Sequence, residues 1–238
     1  MKHIHIIEMG GTISAQGKNR LDLKDYTSGI FHREDFLKAI PELKEIAKLS
    51  FTSFSQISST KITAEHWIAL RNLIIHKIEE GVDGFLISHG TSTLEETAYF
   101  LHLTVPTNKP IVFVGAQRPF TALSSDAPLN LLNALRVAVS EQAVNKGVLV
   151  VLNDQISSAR EVTKESTYRL DTFQSNQHGF LGVVDPDTSV QFYRQPTRKH
   201  TLESEFSSLD FDSLAKVEIV YSYAGASGFL IDAIVKNG

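Results

Sequence analysis

The sequence predicts an α/β fold: an open, parallel-type sheet with crossover helices on both faces, followed by a truncated second α/β domain. Three observations carry this reading. Short Val/Ile/Phe-rich runs alternate with longer segments of helical period, the pattern of parallel strands joined by crossover helices. Two of the runs end in glycine turns that carry threonines. With 238 residues, 42% of them hydrophobic, the chain is long enough for one large domain with a substantial core, or for one domain plus part of another.

The strand candidates, in order, are His3–Glu8, 49–54, Gly84–Ser88, Ile111–Val114, Val148–Leu152 and 217–221. Between them, 64–80 places Trp67, Leu70, Leu73, Ile74 and Ile78 on one helical face, with Thr63 as N-cap and Gly81 as the stop. Two further helices are predicted over 92–102 and 126–142. The latter carries Pro128 in its first turn, where a missing N–H costs little. From 157 to 200 the helical period is lost and two β-like runs, Gly182–Val184 and 190–193, suggest a hairpin-rich tail. The polar, aperiodic stretch 201–214 reads as an interdomain linker, so residues 1–200 form the first domain and 215–238 the start of the second. A strand over 217–221 and a helix over 228–235 cannot close a core alone, so docking on the first domain or on a partner subunit is expected.

The formal net charge is −4 and the 23 basic residues are scattered, which gives no electrostatic case for nucleic acid or an anionic membrane. A small polar partner is expected. The absence of cysteine excludes a disulfide framework, a thiolate zinc site and a cysteine nucleophile. The N-terminus enters a strand-like run without the apolar core and cleavage site of a secretory signal, and no apolar stretch approaches bilayer-spanning length; a cytoplasmic location is expected.

The first strand runs into Met9-Gly10-Gly11-Thr12-Ile13, which puts a hydroxyl on a glycine turn at the carboxyl edge of the sheet, where open α/β folds bind ligands. The G-x-G-x-x-G spacing of a dinucleotide site is absent. The third strand ends similarly, in Ser88-His89-Gly90-Thr91-Ser92-Thr93, and opens a helix whose free N–H groups suit a carboxylate. Thr91 or Thr93 serves equally well as a plain helix cap. A threonine hydroxyl is a weak nucleophile until a base activates it, and Lys164, in Arg160-Glu161-Val162-Thr163-Lys164, is the candidate, since a lysine in a confined pocket loses its proton more readily. Taken alone, the same lysine reads as a surface residue.

In combination these segments resemble a family. Gly10-Gly11-Thr12-Ile13, His89-Gly90-Thr91, Glu95-Glu96-Thr97, Gly115-Ala116-Gln117-Arg118-Pro119, Asn153-Asp154 and Val162-Thr163-Lys164 follow the order and spacing of bacterial-type L-asparaginases. The resemblance spans nearly the whole chain and extends to Val220-Tyr221-Ser222-Tyr223-Ala224. It implies an asparaginase N-terminal domain in which Thr12 is the nucleophile and Tyr26, in the loop after the first strand, is its hydrogen-bonding partner. Thr91 and Lys164 would form the second half of the machinery. Ser59 and Thr60 would contact the substrate α-carboxylate, the backbone carbonyl of Ala116 would meet the amide, and Gly11 and Gly90 would supply backbone N–H groups to the oxyanion. The implied reaction is hydrolysis of a side-chain amide through an acyl-enzyme ester, releasing ammonia, with no metal or other cofactor. The family also implies a homodimer or homotetramer.

Two departures stand out. Ser92 occupies the position where the family has an aspartate that pairs with the substrate α-ammonium, which predicts weaker amino-acid binding or a substrate lacking that group. The chain also stops at Gly238, where family members continue into a second domain. Both features leave open a second reading, a catalytically weak or silent small-molecule-binding protein.

Overall fold

The computed structural model describes residues 1–175 and 177–237. In chain order the elements are β1 (His3–Glu8), the two-residue strands β2 (Gln16–Gly17) and β3 (Tyr26–Thr27), helices α1 (Arg33–Ala39) and α2 (Leu43–Ile46), and β4 (Lys48–Ser53). Then follow α3 (Ala64–Glu79), β5 (Gly84–Ser88), α4 (Leu94–Thr104), β6 (Ile111–Val114), α5 (Ala127–Val139), β7 (Val148–Leu152) and β8 (Gln155–Ser158). A second two-residue pair, β9 (Thr163–Lys164) and β10 (Phe173–Gln174), precedes β11 (Gly182–Val184), β12 (Val190–Phe192) and α6 (Phe229–Asn237).

One eight-stranded sheet has the order β12-β11-β8-β7-β6-β5-β1-β4. From β4 through β7 it is parallel, as the alternation of strand and helix demands. The remaining three strands add antiparallel, beginning with a tight β7–β8 hairpin. Asn153 and Asp154 form that turn with φ of 51° and 63°, the left-handed pair a two-residue hairpin requires.

Side-chain alternation along the central strands divides the core in two. Ile4, Ile6, Leu86, Val112, Val114, Leu149 and Val151 face α1, α2 and α5, burying Phe36, Leu43, Leu131 and Leu135. Ile7, Phe85, Ile87, Ile111, Phe113, Val148 and Val150 face α3 and α4, burying Leu70, Ile74, Leu94 and Leu101. The connection after β1 therefore runs over one face and the connection after β5 over the other. Their turns separate at the carboxyl edge and leave a crevice between β1 and β5, the place where such sheets bind ligands.

The helix predicted over 64–80 forms as Ala64–Glu79, with Thr63 and His66 closing a capping box and Gly81 at φ 86°. The helix predicted from 92 begins at Leu94, because Thr93 is its N-cap. The one predicted over 126–142 breaks at Ser140, whose hydroxyl accepts the N–H of Gln142 and starts a separate 3-10 turn.

The C-terminal region differs more from expectation. The strand predicted over 217–221 is a correction: the segment lies in no ladder, since among the described residues no other strand is presented to it. The helix predicted over 228–235 is present as α6, with Phe229, Leu230 and Val235 exposed. In the stretch 201–214, Thr201, Ser204 and Ser207 are buried and Arg71 donates 2.8 Å to the Leu209 carbonyl, and just ahead of it His200 packs 5.1 Å from the buried His102 ring. Its first half is thus held on the sheet domain. Gly238, the last residue of the predicted second-domain segment, lies outside the described residues.

Candidate active site

The crevice between β1 and β5 is closed to about 200 Å³ by segments arriving from four directions. The two glycine turns come first. Gly10 and Gly11 have φ of 86° and 88°, a conformation only glycine adopts at low cost, and they turn the chain sharply after β1 so that Thr12 faces the crevice. Gly11 also lies against Gly90, where the chain leaves β5 through His89 and Gly90 into Thr91. Thr12 and Thr91, each less than a tenth exposed, therefore stand at the ends of adjacent parallel strands.

Each threonine has a partner brought from elsewhere in the chain. The β2–β3 ribbon folds back after β1, its base fixed by the N–H groups of Ile30 and Phe31, which both donate to the Ser14 carbonyl. It carries the Tyr26 hydroxyl to 2.9 Å from Thr12 Oγ1. The β9–β10 ribbon supplies Lys164, whose Nζ donates to Thr91 Oγ1 at 2.6 Å. The backbone N–H of the same lysine donates to Glu95 Oε2 at 2.6 Å. Burial holds the Lys164 amine below the ordinary lysine range, with the Glu95 charge opposing that shift, and burial pushes the Glu95 carboxyl up.

The floor is set by Ser59, in the 3-10 turn after β4. Its hydroxyl accepts the Ser92 N–H at 3.2 Å, and its carbonyl accepts the Thr93 hydroxyl at 2.8 Å. A Cβ on Gly90 would lie 2.7 Å from Ser59 Oγ, so this turn too depends on glycine. His89, buried beneath the turn, has Nδ1 2.8 Å from the Gly90 carbonyl, and burial lowers its pKa to about 4, which keeps it neutral.

Of the residues singled out in the sequence, Gly11, Thr12, Tyr26, Ser59, Gly90, Thr91, Ser92 and Lys164 line one pocket. Thr60 and Ala116 do not: Thr60 is exposed and pairs with Ser58 at 2.9 Å, and the Ala116 side chain is fully buried in the core behind the pocket. Sequence reasoning missed Ser28, Ser58, Gln117 and Thr167 as lining residues. The Gln117 turn is held by Asp126, whose carboxylate accepts the N–H groups of Gln117 and Arg118 at 2.9 Å. Gln117 is 8% exposed and its side-chain Nε2 has no acceptor, so a donor is left at the wall of the pocket. Among the described lining residues Lys164 is the single basic side chain, and none is a carboxylate. Among the described residues, no group of three His, Cys, Asp or Glu is placed to hold a metal ion, and no helix is long and apolar enough to cross a membrane.

Residues 3–198 match the family model described as Asparaginase, N-terminal. The chain is 43% identical over 239 residues to "L-asparaginase 2" of Bacillus subtilis, covering all of this chain and 63% of that protein. It is 40% identical to "Probable L-asparaginase periplasmic" of Haemophilus influenzae, covering 67% of it. The chain belongs to the asparaginase family. A crystal structure titled as a probable cytoplasmic L-asparaginase from Campylobacter jejuni superposes with a TM-score of 0.96 at 38% identity, over all of this chain and 73% of that one. The chain thus spans roughly two thirds of the curated asparaginases it matches, and the model match ends at 198, ahead of the stretch 201–214. The pocket lies wholly within the matched part: among the described residues, nothing beyond 198 reaches its lining.

Proposed function

We propose that this pocket hydrolyses the side-chain amide of asparagine or a close analogue, with Thr12 as nucleophile. The observation that carries the reading is the convergence of two hydroxyl pairs, Thr12 with Tyr26 and Thr91 with Lys164, on one small crevice. Family membership supports it.

In this reading Thr12 Oγ1 bonds to the amide carbon, and its proton passes to the leaving nitrogen through the Tyr26 hydroxyl, which accepts one proton as it gives another. The C–N bond breaks, ammonia departs and an ester remains on Thr12. Water then adds to the ester; its proton is taken by the Lys164 amine by way of Thr91 and returned to Thr12 as the C–O bond breaks. Ser59 and Gln117 would hold the rest of the substrate, and backbone N–H groups of the glycine turns would hold the oxyanion, each such donor lowering the barrier by ~3 kcal/mol.

The lining also favours a substrate class. With no carboxylate in its described lining, the pocket offers no counter-charge to an α-ammonium group. An ω-amide acid without that group, such as succinamic acid, is accommodated at least as well as asparagine. The test is ammonia release from L-asparagine, L-glutamine and succinamic acid by the purified chain, with Thr12→Ala as control. Turnover lost in the control supports the reading; equal release by both proteins refutes it.

We further propose that 215–237 belongs to a second α/β domain joined through 201–214, supported by the end of the family match at 198 and by the exposed apolar side chains of α6. A homodimer or homotetramer is proposed on the family resemblance, and sedimentation of the full chain tests it. A cytoplasmic location rests on the likeness to the Campylobacter jejuni structure, and cell fractionation tests it.

A further inference from the structure

Lys164 is held at two points by one short stretch of chain. Its amine meets Thr91 in the turn before α4, and its backbone N–H meets Glu95, four residues on, in the first turn of that helix. The side chain of a lysine is long and flexible, and ordering it costs up to about 2 kcal/mol of rotamer entropy. Fixing the backbone from which it starts narrows the positions its tip can reach. The ribbon around it is anchored by Val162 and Phe173, which are buried in the core on the α3/α4 side, and the Glu95 contact ties the lysine's own main chain directly to the helix that follows Thr91.

We propose that Glu95 is a positioning residue for Lys164: its carboxylate fixes the lysine backbone at the distance from which the amine reaches Thr91, and its charge governs how readily that amine takes up a proton. This rests on the reading of Lys164 as the base of the hydrolytic half-reaction. Burial lowers the affinity of the amine for a proton, and Glu95 is the charge that opposes the shift. The other charged groups around Glu95 are Glu96 on α4 and Glu165 beside Lys164 on the ribbon, and Tyr26 is the remaining titratable group lining the pocket.

The two roles separate by substitution. Glu95→Gln keeps an oxygen for the Lys164 N–H and removes the charge; Glu95→Ala removes both. With the charge gone the amine sheds its proton more readily, so the acid limb of kcat/KM against pH moves to lower pH in Glu95→Gln, by about half a pH unit or more. Glu95→Ala loses the tether as well, and its plateau falls about tenfold or more below that of Glu95→Gln, with the loss in kcat rather than KM.

A second readout does not need turnover. Reductive 13C-methylation of the full chain, with Lys164 assigned by Lys164→Arg, gives the amine's titration directly by NMR, and melting curves confirm that each variant is folded. The expected result is a lower titration point for Lys164 in Glu95→Gln. An identical titration point in a folded Glu95→Gln, or a plateau for Glu95→Ala equal to that of Glu95→Gln, overturns the proposal. If the wild-type chain releases no ammonia while the resonance still shifts, the hydrolase reading fails and the placement of Glu95 stands.

Discussion

Gly11 and Gly90 meet back to back where β1 and β5 end: a Cβ on Gly11 would sit 2.3 Å from the Gly90 Cα and 2.6 Å from its nitrogen. The two threonine-bearing turns are therefore in backbone contact, which is why both hydroxyls open into the same crevice. Gly11→Ala must push the turns apart and also force an alanine to φ near 88°. Strain and overpacking together cost about 2–5 kcal/mol. The expected outcome is a denaturation midpoint lowered accordingly and ammonia release reduced by more than a hundredfold; a Gly11→Ala chain with wild-type stability would show that the turns can separate freely.

Ser92 offers no charge to the pocket, and Ser92→Asp would supply one. The variant is expected to bind ammonium-bearing amides better, shifting the ratio of kcat/KM for asparagine over succinamic acid upward by about tenfold or more, or ~1.4 kcal/mol. Equal ratios in wild type and variant would mean that position 92 does not face the α-carbon of the substrate.

Gln117 holds a buried Nε2 without an acceptor. A buried donor with no acceptor in the protein costs about 1–3 kcal/mol. Gln117→Met should therefore leave the free protein as stable as wild type or more so, while raising KM several-fold. A fall in melting temperature with KM unchanged would assign the side chain to structure instead of substrate.

Acid should destabilise the fold through its buried imidazoles. Burial lowers His5 and His89 to about 4 and His102 to about 3, below the ~6.5 of a free imidazole. The unfolded chain binds those protons first, so the stability is fully present above pH ~6.5 and is lost progressively as pH falls toward 3–4. One to three protons taken up on unfolding near pH 5 give a slope of roughly 1.4–4 kcal/mol per pH unit, partly offset by Glu8 and Glu95, whose raised pKa acts in the opposite sense. Urea midpoints measured at pH 7 and 5 check this, and His102→Leu should flatten the dependence. A pH-independent midpoint over that range would contradict the neutral burial of these rings.

The central strands were legible because strands covered on both faces must be apolar throughout, as Phe85-Leu86-Ile87 and Ile111-Val112-Phe113-Val114 are. The outer antiparallel pair was legible as the β-like runs Gly182–Val184 and 190–193, but β8 was not, because Gln155-Ile156-Ser157-Ser158 is short and mostly polar; the Asn153-Asp154 pair was its one local signal. Thr12 and Thr91 were readable from their glycine turns. Gln117 was hidden in a strand-end motif, since its exposure to the pocket depends on Asp126 holding the turn. Lys164 lies 69 residues from Glu95, and no spacing rule connects a ribbon to a helix start across that separation. The segment 217–221 has strand composition without a neighbour to pair with, a condition that composition does not encode.

The two halves of the pocket are also unequally anchored. Thr12 and Thr91 sit on turns that follow strands of six and five residues paired on both sides, whereas Lys164 ends a ladder only two residues long. Fraying on warming begins where ladders are shortest. The lysine would then swing away while the sheet, both cores and the threonines stay in place, so loss of function on heating should precede melting, and cooling should restore it without any refolding.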